Sequence, residues 1–235
     1  SGGMPTVDES AIYFGENKPG YVIVKTNRPE IDYQDEKNET VFGTYEGQDG
    51  VVVGSGANGF INKAAFALRF GDINPLVSSN VRSDSKILMQ RDVTDRLETV
   101  APFLAYDHDP YVVVLDGRIQ YVVDAYTTTR NYPNAQRADT GGLEPTSGLY
   151  GRSFNYARNS VKAVVDAYDG TVKLYVVDEV DPLIKAYQKA FPDLFTSSED
   201  VPEELREHFR YPEDLFTVQT QMWAKYHVAE ADDFI

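Results

Sequence analysis

The residues best suited to chemistry in this chain form the run Asp107-His108-Asp109. An imidazole flanked by two carboxylates can bind a metal ion, and it can also transfer protons, because histidine titrates close to neutral pH. The same run is equally compatible with a solvated loop that precedes Pro110. The run is therefore a candidate site whose chemistry depends on the elements that position it.

A predicted hairpin brings a second carboxylate towards this run. If Asp116 and Gly117 form its two-residue turn, pairing outward from the turn places Asp109 opposite Asp124. Two carboxylates opposed across a pair of strands repel each other, so a divalent cation, a shared proton or a cationic side chain should compensate them. Arg130 is the candidate for such a cationic side chain.

The candidate binding site combines this carboxylate pair with its neighbours in the sequence. Its six residues are Asp107, His108, Asp109, Asp124, Tyr126 and Arg130. The alternative is that strand pairing frays at Pro110, which cannot donate a hydrogen bond to the ladder, so that Asp109 turns to solvent. No cofactor is predicted other than a divalent cation at this site.

No pattern in the sequence assigns a reaction. The chain lacks a serine in a nucleophile elbow, a zinc-binding helix pair and a calcium-loop pattern. It also has no cysteine, which excludes disulfides, thiolate metal sites and a cysteine nucleophile. We therefore predict no catalytic residue and favour a non-enzymatic role over an enzymatic one.

The charge of the chain restricts its partners. The chain carries 37 Asp and Glu against 22 Lys and Arg, which gives a formal net charge of −15 at pH 7. Such a chain repels phosphates, so nucleic acid is not expected as a partner, and a cationic or neutral partner is easier to accommodate. No stretch approaches the roughly 20 apolar residues of a membrane helix, so membrane attachment would need segments absent from this chain.

Two segments with a similar pattern predict the centre of the fold. Each has an Asp-Gly pair, Asp116-Gly117 or Asp169-Gly170, between β-rich arms, and this is a strong hairpin signal. Two such hairpins make a four-stranded antiparallel sheet. The alternation of apolar and polar residues predicts buried side chains at Ile119, Val123, Val165 and Leu174.

A two-residue turn also sets the pairing in the second hairpin. Val165 then lies opposite Leu174 on an apolar face, and Asp166 lies opposite Lys173 on the other face. An opposed pair of unlike charges stabilises a sheet by roughly 0.2–1 kcal/mol. The register that separates the two faces therefore also pairs the charges, and we predict this register.

Several helices flank the predicted sheet. Residues 58–70 leave little polar surface, which predicts a mostly buried helix. Residues 92–104 have the spacing of an amphipathic helix that Pro102 ends or kinks. Asp181 followed by Pro182 predicts a capped helix start.

The last predicted helix runs from Pro212 to about His227. Apolar residues at helical spacing predict that one stripe of this helix is buried against the body of the domain. The stripe consists of Leu215, Val218, Met222 and Tyr226, and Trp223 beside it is predicted to lie in the core.

Together these elements predict an α+β fold in which an antiparallel sheet, built on two Asp-Gly hairpins, packs with several helices. Ser1-Gly2-Gly3 before Met4 is typical of residues left by an expression vector, so the predicted single domain is 4–235. A chain of 235 residues can also form two small domains, and the alternative division is 4–90 and 91–235.

Long motifs in the chain resemble those of uncharacterised protein family 0182. The resemblance covers almost the whole chain and rests on residues 67–72, 100–104, 123–128, 159–172 and 210–216, together with shorter matches. Two positions depart from the family pattern, because Tyr121 and Ile235 stand where tryptophan is expected. Neither departure affects the predicted fold.

The resemblance implies a location and not an activity. Members of this family are multi-pass membrane proteins of actinobacteria and cyanobacteria with a large extracytoplasmic region, and this chain would be part of that region at the cell membrane. The family brings no established reaction, so no catalytic residue is carried over. The leading interpretation is a domain that binds or assembles with an unidentified protein or other partner at the cell envelope.

Two alternatives to this interpretation stay open. The first is an envelope hydrolase that uses carboxylates, which would be indicated by a deep pocket holding two carboxylates of raised pKa. The second is a module that binds a sugar or a peptide on a tyrosine-rich face, since the chain has 16 Tyr and 12 Phe. A shallow, exposed aromatic patch would indicate binding.

Overall fold

The computed structural model describes residues 6–34, 38–47, 49–54, 57–74, 78–225 and 227. The chain divides into two compact units. Unit 1 comprises residues 1–96, 116–119 and 166–171, and unit 2 comprises residues 97–115, 120–165 and 172–235. Helices are mixed with antiparallel sheets, as in an α+β fold. No helix in these described stretches is long and apolar enough to cross a membrane.

The first elements of the chain belong to unit 1. They are β1 (Val22–Thr26), β2 (Glu30–Gln34), β3 (Thr40–Gly43), β4 (Val51–Val52), α1 (Ala57–Phe70) and β5 (Val81–Leu88). Strands β1, β5 and β4 form an antiparallel sheet in that order, and β2 pairs with β3 in a separate two-stranded sheet. A core of Phe14, Val24, Tyr45 and Leu88 supports this unit.

The remaining elements include the main sheet. They are α2 (Val93–Val100), β6 (Ala105–Tyr106), β7 (Tyr111–Leu115), β8 (Arg118–Thr129), β9 (Tyr156–Asp166), β10 (Val172–Val176), α3 (Pro182–Ala190), β11 (Phe195–Thr196), α4 (Glu203–Glu207) and α5 (Glu213–Ala224). The strand order is β11-β10-β9-β8-β6, with β7 also paired to β8. Strands β9 and β10 are antiparallel, as are β6 and β8, whereas β10 and β11 are parallel.

The connection between β7 and β8 consists of two residues with left-handed backbone. Asp116 has φ of 49° and Gly117 has φ of 71°. A type I′ turn requires positive φ at both central residues, and glycine and aspartate tolerate it best. Asp116 and Gly117 both have the positive φ that such a turn requires, and the predicted pairing outward from them stays a prediction.

The predicted register of the second hairpin is wrong by two residues. Val165 pairs with Val172, not Leu174, and Lys173 lies opposite Val164, not Asp166. The turn is longer because the carboxylate of Asp166 accepts hydrogen bonds from the backbone N–H groups of residues 168 and 169, at 2.9 and 3.0 Å. That carboxylate also pairs with Arg118 at 2.7 Å, so the predicted pair with Lys173 is not formed.

A shift of two residues leaves the two faces of a strand unchanged, because side chains alternate with a period of two. Val165 and Leu174 are accordingly buried, as predicted, and so is Val123 on β8. Val164 and Tyr175, predicted on the opposite face of the second hairpin, are buried as well. Ile119 is only partly buried, so its predicted burial is wrong.

The N-terminal helix α1 differs most from its prediction. It spans the expected residues, but Phe60, Ile61 and Leu68 are 67%, 62% and 87% exposed, so the expectation of a mostly buried helix is wrong. The burial side of the helix is formed by smaller or partly buried residues, among them Gly59 and Ala67. Helix α2 ends at Val100, before Pro102, as the sequence indicates.

The two longer C-terminal helices start as predicted. Asp181 caps α3 by accepting a hydrogen bond from the backbone N–H of Leu183 at 3.0 Å. In α5, Val218 is buried and Leu215 and Met222 pack against the same core cluster, which confirms the apolar stripe. Tyr226 lies outside the described residues. The prediction for Trp223 is wrong, because its side chain is 65% exposed and stacks on the ring of His227.

Candidate functional site

A cluster of buried polar side chains lies in unit 2, where β6 and β8 pair. Ala105 is opposite Tyr126, and the N–H of Asp107 donates to the carbonyl of Asp124 at 2.8 Å. The residue opposite Asp124 is therefore Asp107, and the prediction that Asp109 opposes it is wrong. An interruption that contains Pro110 separates β6 from β7, so the two strands do not form one unbroken ladder with β8.

Asp107 is the centre of this cluster, and its side chain is 2% exposed. It accepts a short hydrogen bond from the hydroxyl of Tyr126, which is fully buried. It also accepts from the backbone N–H of Asp214 at 3.1 Å and from that of Asp109 at 3.2 Å. Burial and the charge of Asp107 raise the pKa of Tyr126 well above its ordinary value, so this phenol stays a hydrogen-bond donor at neutral pH.

His108 connects the cluster to the first turn of α5. Its ring Nδ1 lies 2.7 Å from Asp214 Oδ1 and 3.4 Å from Asp107 Oδ1, and its backbone N–H donates to Asp214 Oδ2 at 3.1 Å. Burial lowers the pKa of His108, but the hydrogen bond and charge of Asp214, together with the charge of Asp107, raise it overall. Burial and the charge of Asp107 raise the pKa of Asp214, although Ser147 and His108 oppose this.

Lys162, on β9, supplies the positive charge that the opposed carboxylates require. Its Nζ forms a short ion pair with Asp124 Oδ1, and both side chains are 5% exposed. The same Nζ donates to the carbonyl of Arg210 at 2.7 Å and lies 5.5 Å from the ring centroid of Phe209. Burial raises the pKa of Asp124, and the charge of Lys162 partly offsets this effect.

Four of the six predicted site residues come together in the structure. They are Asp107, His108, Asp124 and Tyr126. Asp109 is exposed and contributes only its backbone N–H, and Arg130 is exposed and does not compensate Asp124.

Sequence reasoning missed Lys162, Ser147 and Asp214. Lys162 had a usable signal, because it stands in the apolar run of β9, where a charge needs a buried partner. Asp214 had no such signal, because an acidic residue in the first turn of a helix is explained by the helix dipole alone. Its partner His108 is 106 positions away in the chain.

Three residues of the cluster could hold a metal ion. Asp107, His108 and Asp214 each offer one ligand atom, and these atoms lie within 4.8 Å of one another. One imidazole nitrogen and two carboxylate oxygens make a donor set that suits Zn²⁺ or another divalent transition metal. All three residues also have hydrogen-bond partners within the protein, so the cluster is held together by its own groups. The predicted divalent cation stays a prediction.

A second candidate site in unit 2 is an aromatic cleft with a volume of about 650 Å³. We use "aromatic cleft" for the cavity lined by Val100, Pro102, Phe103, Ala190, Phe191, Pro192, Asp193 and Leu194. The ring of Phe103 is 5.3 Å from that of Phe191 and parallel to it, and 4.4 Å from that of Tyr187. Phe191 is 46% exposed, so the stack is open to a ligand.

The loops after α2 and α3 build this cleft. Helix α2 ends before Pro102, and α3 ends before Pro192. A phenylalanine therefore lies beside the proline in the loop after each helix. Among the lining residues, which all belong to the described part of the chain, Asp193 alone is charged. An apolar, aromatic surface with few polar groups binds apolar side chains by removing both surfaces from water.

Comparison with known proteins covers nearly the full chain. Residues 2–235 match the profile of the Uncharacterised protein family UPF0182. A UPF0182 protein of Cupriavidus necator is 43% identical over 234 residues, which is 100% of this chain and 24% of that protein. UPF0182 proteins of Bradyrhizobium diazoefficiens and Clostridium botulinum are each 42% identical, over 99% and 95% of this chain and 23% of each protein. No solved structure matches the chain.

Proposed function

The chain belongs to the Uncharacterised protein family UPF0182, and we propose that it is an extracytoplasmic part of a multi-pass membrane protein that binds a partner at the cell envelope. The chain spans about a quarter of the length of the relatives it matches, which leaves room for membrane segments elsewhere in the protein. Its net charge of −15 is compatible with a cationic or neutral partner.

The aromatic cleft is the observation that carries the binding role. Its two phenylalanine rings are stacked and accessible, and its walls are apolar. A sugar needs hydrogen-bond partners beside an aromatic platform, because its hydroxyl groups lose water on binding. The lining residues offer few such partners, so an apolar or aromatic peptide segment is the favoured ligand over a sugar.

The buried polar cluster supports a structural role over a hydrolytic one. The side chains of Asp107, Asp124 and Asp214 are 1–5% exposed, and each carboxylate is engaged by protein donors. A catalytic carboxylate must reach the proton it transfers, within hydrogen-bond distance of a substrate atom. Asp107 and Asp214 connect α5 to the sheet through their hydrogen bonds, and Asp124 pairs with Lys162 of β9, so these carboxylates stabilise the protein itself.

A test of the proposed binding role uses two probes on the same protein. Nuclear magnetic resonance spectra of the chain would be followed during titration with acetyl-Leu-Phe-Leu-amide and, separately, with a tetramer of N-acetylglucosamine. We expect the peptide to shift resonances of Phe103 and Phe191 and the sugar to leave them unchanged. The variant Phe191→Ser should lose the response. The matched variant Phe216→Ser, at a 57% exposed phenylalanine of α5, should retain it.

The other outcomes have defined meanings. Shifts with the sugar alone would replace peptide binding by sugar binding. Hydrolysis of the sugar or of the peptide during the titration would establish the enzymatic alternative. Absence of any response from Phe103 and Phe191 would remove the cleft as a binding site.

A second candidate function is cation binding at Asp107, His108 and Asp214, favoured by the proximity of their ligand atoms. Bound Zn²⁺ would raise the thermal midpoint of the chain, because a ligand that binds only the native state stabilises it. The variant His108→Gln removes one ligand and should remove this increase. An equal effect of Zn²⁺ on both proteins would show that the ion binds elsewhere.

A further inference from the structure

Helix α1 in unit 1 exposes several large apolar side chains. Helical periodicity places Ile61 and Leu68 on one side, with Phe60 at its edge, next to Ala67. The other side contains Gly59, Phe66, Ala67 and Phe70, which are buried or partly buried. The helix also carries the polar residues Asn62, Lys63 and Arg69, so it is not apolar all round. A surface helix normally turns its apolar side to the core and its polar side to water, so the exposure of Ile61 and Leu68 departs from that pattern.

The exposed side of α1 is large and is not an isolated residue. Phe60, Ile61 and Leu68 are 67%, 62% and 87% exposed, and Ile73, just beyond the end of the helix, is 66% exposed. Single exposed apolar residues are common on monomeric proteins, but several large ones on one short stretch of chain are typical of an interaction surface. We call these four residues the α1 patch.

A second feature of unit 1 points in the same direction. Strands β2 and β3 form a two-stranded sheet, and Ile31 lies opposite Phe42 across it. These two side chains are 70% and 56% exposed. A two-stranded sheet is at best marginally stable in water without further strands or a packed layer. Unit 1 thus has a helix and a sheet that each expose an apolar side.

Most of the length of the relatives lies outside the stretch that this chain matches, so further polypeptide is available to cover the α1 patch. The chain accounts for 24% of the Cupriavidus necator protein and 23% of the Bradyrhizobium diazoefficiens protein. Helix α1 has 14 residues, fewer than the roughly 17 that the shortest membrane-spanning helix needs, so the patch is suited to protein packing and not to spanning a bilayer.

We propose that the α1 patch is an internal interface of the longer protein, covered by an apolar segment of the same polypeptide outside these 235 residues. The charged residues of α1 are Lys63 and Arg69, both basic, so a segment that follows the helix would carry acidic residues beside its apolar ones. This proposal rests on the proposed origin of the chain from a longer protein, and it is independent of the aromatic cleft.

The absence of cysteine from the chain allows a direct test. Leu68→Cys and, as control, Val180→Cys would each be introduced into the 235-residue chain and into the family-length protein made free of other cysteines. Val180 is 69% exposed and lies in unit 2. A membrane-impermeant maleimide would be applied to the native protein, and the labelled fraction would be divided by that obtained in sodium dodecyl sulfate.

The expected result is protection of Leu68→Cys in the longer protein only. In the 235-residue chain both cysteines should label fully. In the family-length protein, in detergent and in lipid nanodiscs alike, the labelling rate of Leu68→Cys should fall at least tenfold. For Leu68→Cys, the labelled fraction in the native protein is compared only with the fraction labelled in sodium dodecyl sulfate. Labelling of Val180→Cys shows that the reagent reaches the protein.

Three results would overturn the proposal. Equal labelling of Leu68→Cys in both proteins would mean that nothing covers the patch. Protection in nanodiscs that is lost in detergent would assign the patch to lipid. Protection in the 235-residue chain, together with a dimer mass that Leu68→Ser reduces to a monomer mass, would assign it to a second copy. Labelling of Val180→Cys in intact cells tests the extracytoplasmic location separately, because the reagent does not cross the membrane.

Discussion

Two buried aspartates at helix starts in unit 2 have opposite titration behaviour. Asp181 precedes α3 and is fully buried, and Asp214 lies in the first turn of α5 and is 1% exposed. The pKa of Asp181 is lowered and the pKa of Asp214 is raised. Equal burial and a similar position on a helix therefore do not determine the preferred protonation state of a carboxyl group.

The difference comes from the neighbours of each carboxylate. Burial raises the pKa of Asp181, but hydroxyl donors outweigh it: Ser160 at 2.6 Å, Thr127 at 2.5 Å and Tyr156 at 2.7 Å. Asp214 has fewer donors, and the buried charge of Asp107 lies beside it. Hydrogen bonds from neutral donors favour the ionised form of a carboxyl group, whereas a second carboxylate nearby disfavours it.

The largest effect is expected at a third carboxylate, that of Asp124, whose charge is balanced by the ammonium group of Lys162. Lys162→Met leaves Asp124 buried without its partner and should destabilise unit 2 by about 3–5 kcal/mol at pH 7, the range for a buried ion pair that loses one member. The loss should grow as pH rises, because burial already raises the pKa of Asp124. Urea unfolding monitored by circular dichroism measures it.

The double variant Lys162→Met, Asp124→Leu is the control for this experiment. Removal of both charges should recover most of the lost stability, since the cost comes from the unpaired carboxylate. If the double variant is no more stable than Lys162→Met, packing of the lysine stem and not its charge is responsible.

The next effect tests the donor set of Asp181. Asp181→Ala removes the cap of α3 and leaves three hydroxyl groups without their acceptor, so we expect a loss of roughly 2–4 kcal/mol at pH 7. A carboxyl group whose pKa is lowered in the folded state stabilises the fold at pH values above its ordinary pKa of about 3.9. That stabilisation is lost as pH falls through the lowered value, so the difference from wild type should shrink in acid.

Unfolding curves at pH 7 compare the two aspartates directly. Asp181→Asn should cost more than Asp214→Asn at pH 7, because an amide replaces an ionised acceptor at residue 181 and a group that resists ionisation at residue 214. Equal costs would mean that the neighbours named above do not distinguish the two sites.

A smaller effect with the opposite pH dependence is expected at His108. A histidine whose pKa is raised in the folded state stabilises the fold fully at pH values below its ordinary pKa of about 6.5. This contribution disappears as the pH rises through the raised pKa. His108→Gln should therefore cost about 1 kcal/mol at pH 6 and less at pH 9. The charged groups that face this ring are Asp107, Glu213 and Asp214. A cost that is constant from pH 6 to pH 9 would contradict a protonated imidazole.

The smallest effect concerns the other end of α5, far in sequence from Asp214. Trp223→Ala should change stability by less than about 0.5 kcal/mol, because the side chain is 65% exposed. Met222→Ala, one residue earlier, should cost about 1–2 kcal/mol, below the range for a fully buried methionine, since Met222 is partly buried. Thermal unfolding of the two variants compares adjacent residues of one helix. A larger loss for Trp223→Ala would place that indole in a packed environment.

The same two aspartates show how far sequence reasoning reaches. The cap by Asp181 is a local property of an Asp-Pro pair before an apolar stripe, and the sequence predicts it correctly. The role of Asp214 depends on Asp107 and His108, more than 100 positions earlier, and no local pattern records this contact. Local rules thus predict helix starts, whereas long-range polar pairing depends on the tertiary fold.

Two further cases show that the sequence predicts which residues can be buried better than it predicts what they contact. Alternation along β9 and β10 predicted the burial of Val165 and Leu174 correctly, but Val164 and Tyr175 on the opposite face are buried as well. The side chain of Asp166 lengthened the turn and changed the pairing. In α1 the apolar composition predicted burial, and the helix itself is present, yet Phe60 and Leu68 are exposed. Periodicity identifies which residues can be buried, and the surrounding chain decides whether they are.

The long separation between Asp107 and Asp214 has a consequence for the order of events during biosynthesis. At about 5–20 residues per second, Asp214 leaves the ribosome roughly 5–20 seconds after Asp107, because the two are 107 positions apart. During that interval the carboxylate of Asp107 lacks the N–H group at the start of α5, and the apolar cluster that includes Val218 lacks its last member. Unit 2 therefore completes its folding only after α5 has been synthesised, and a nascent chain halted before residue 213 would expose both the charge and the apolar surface to chaperones and proteases.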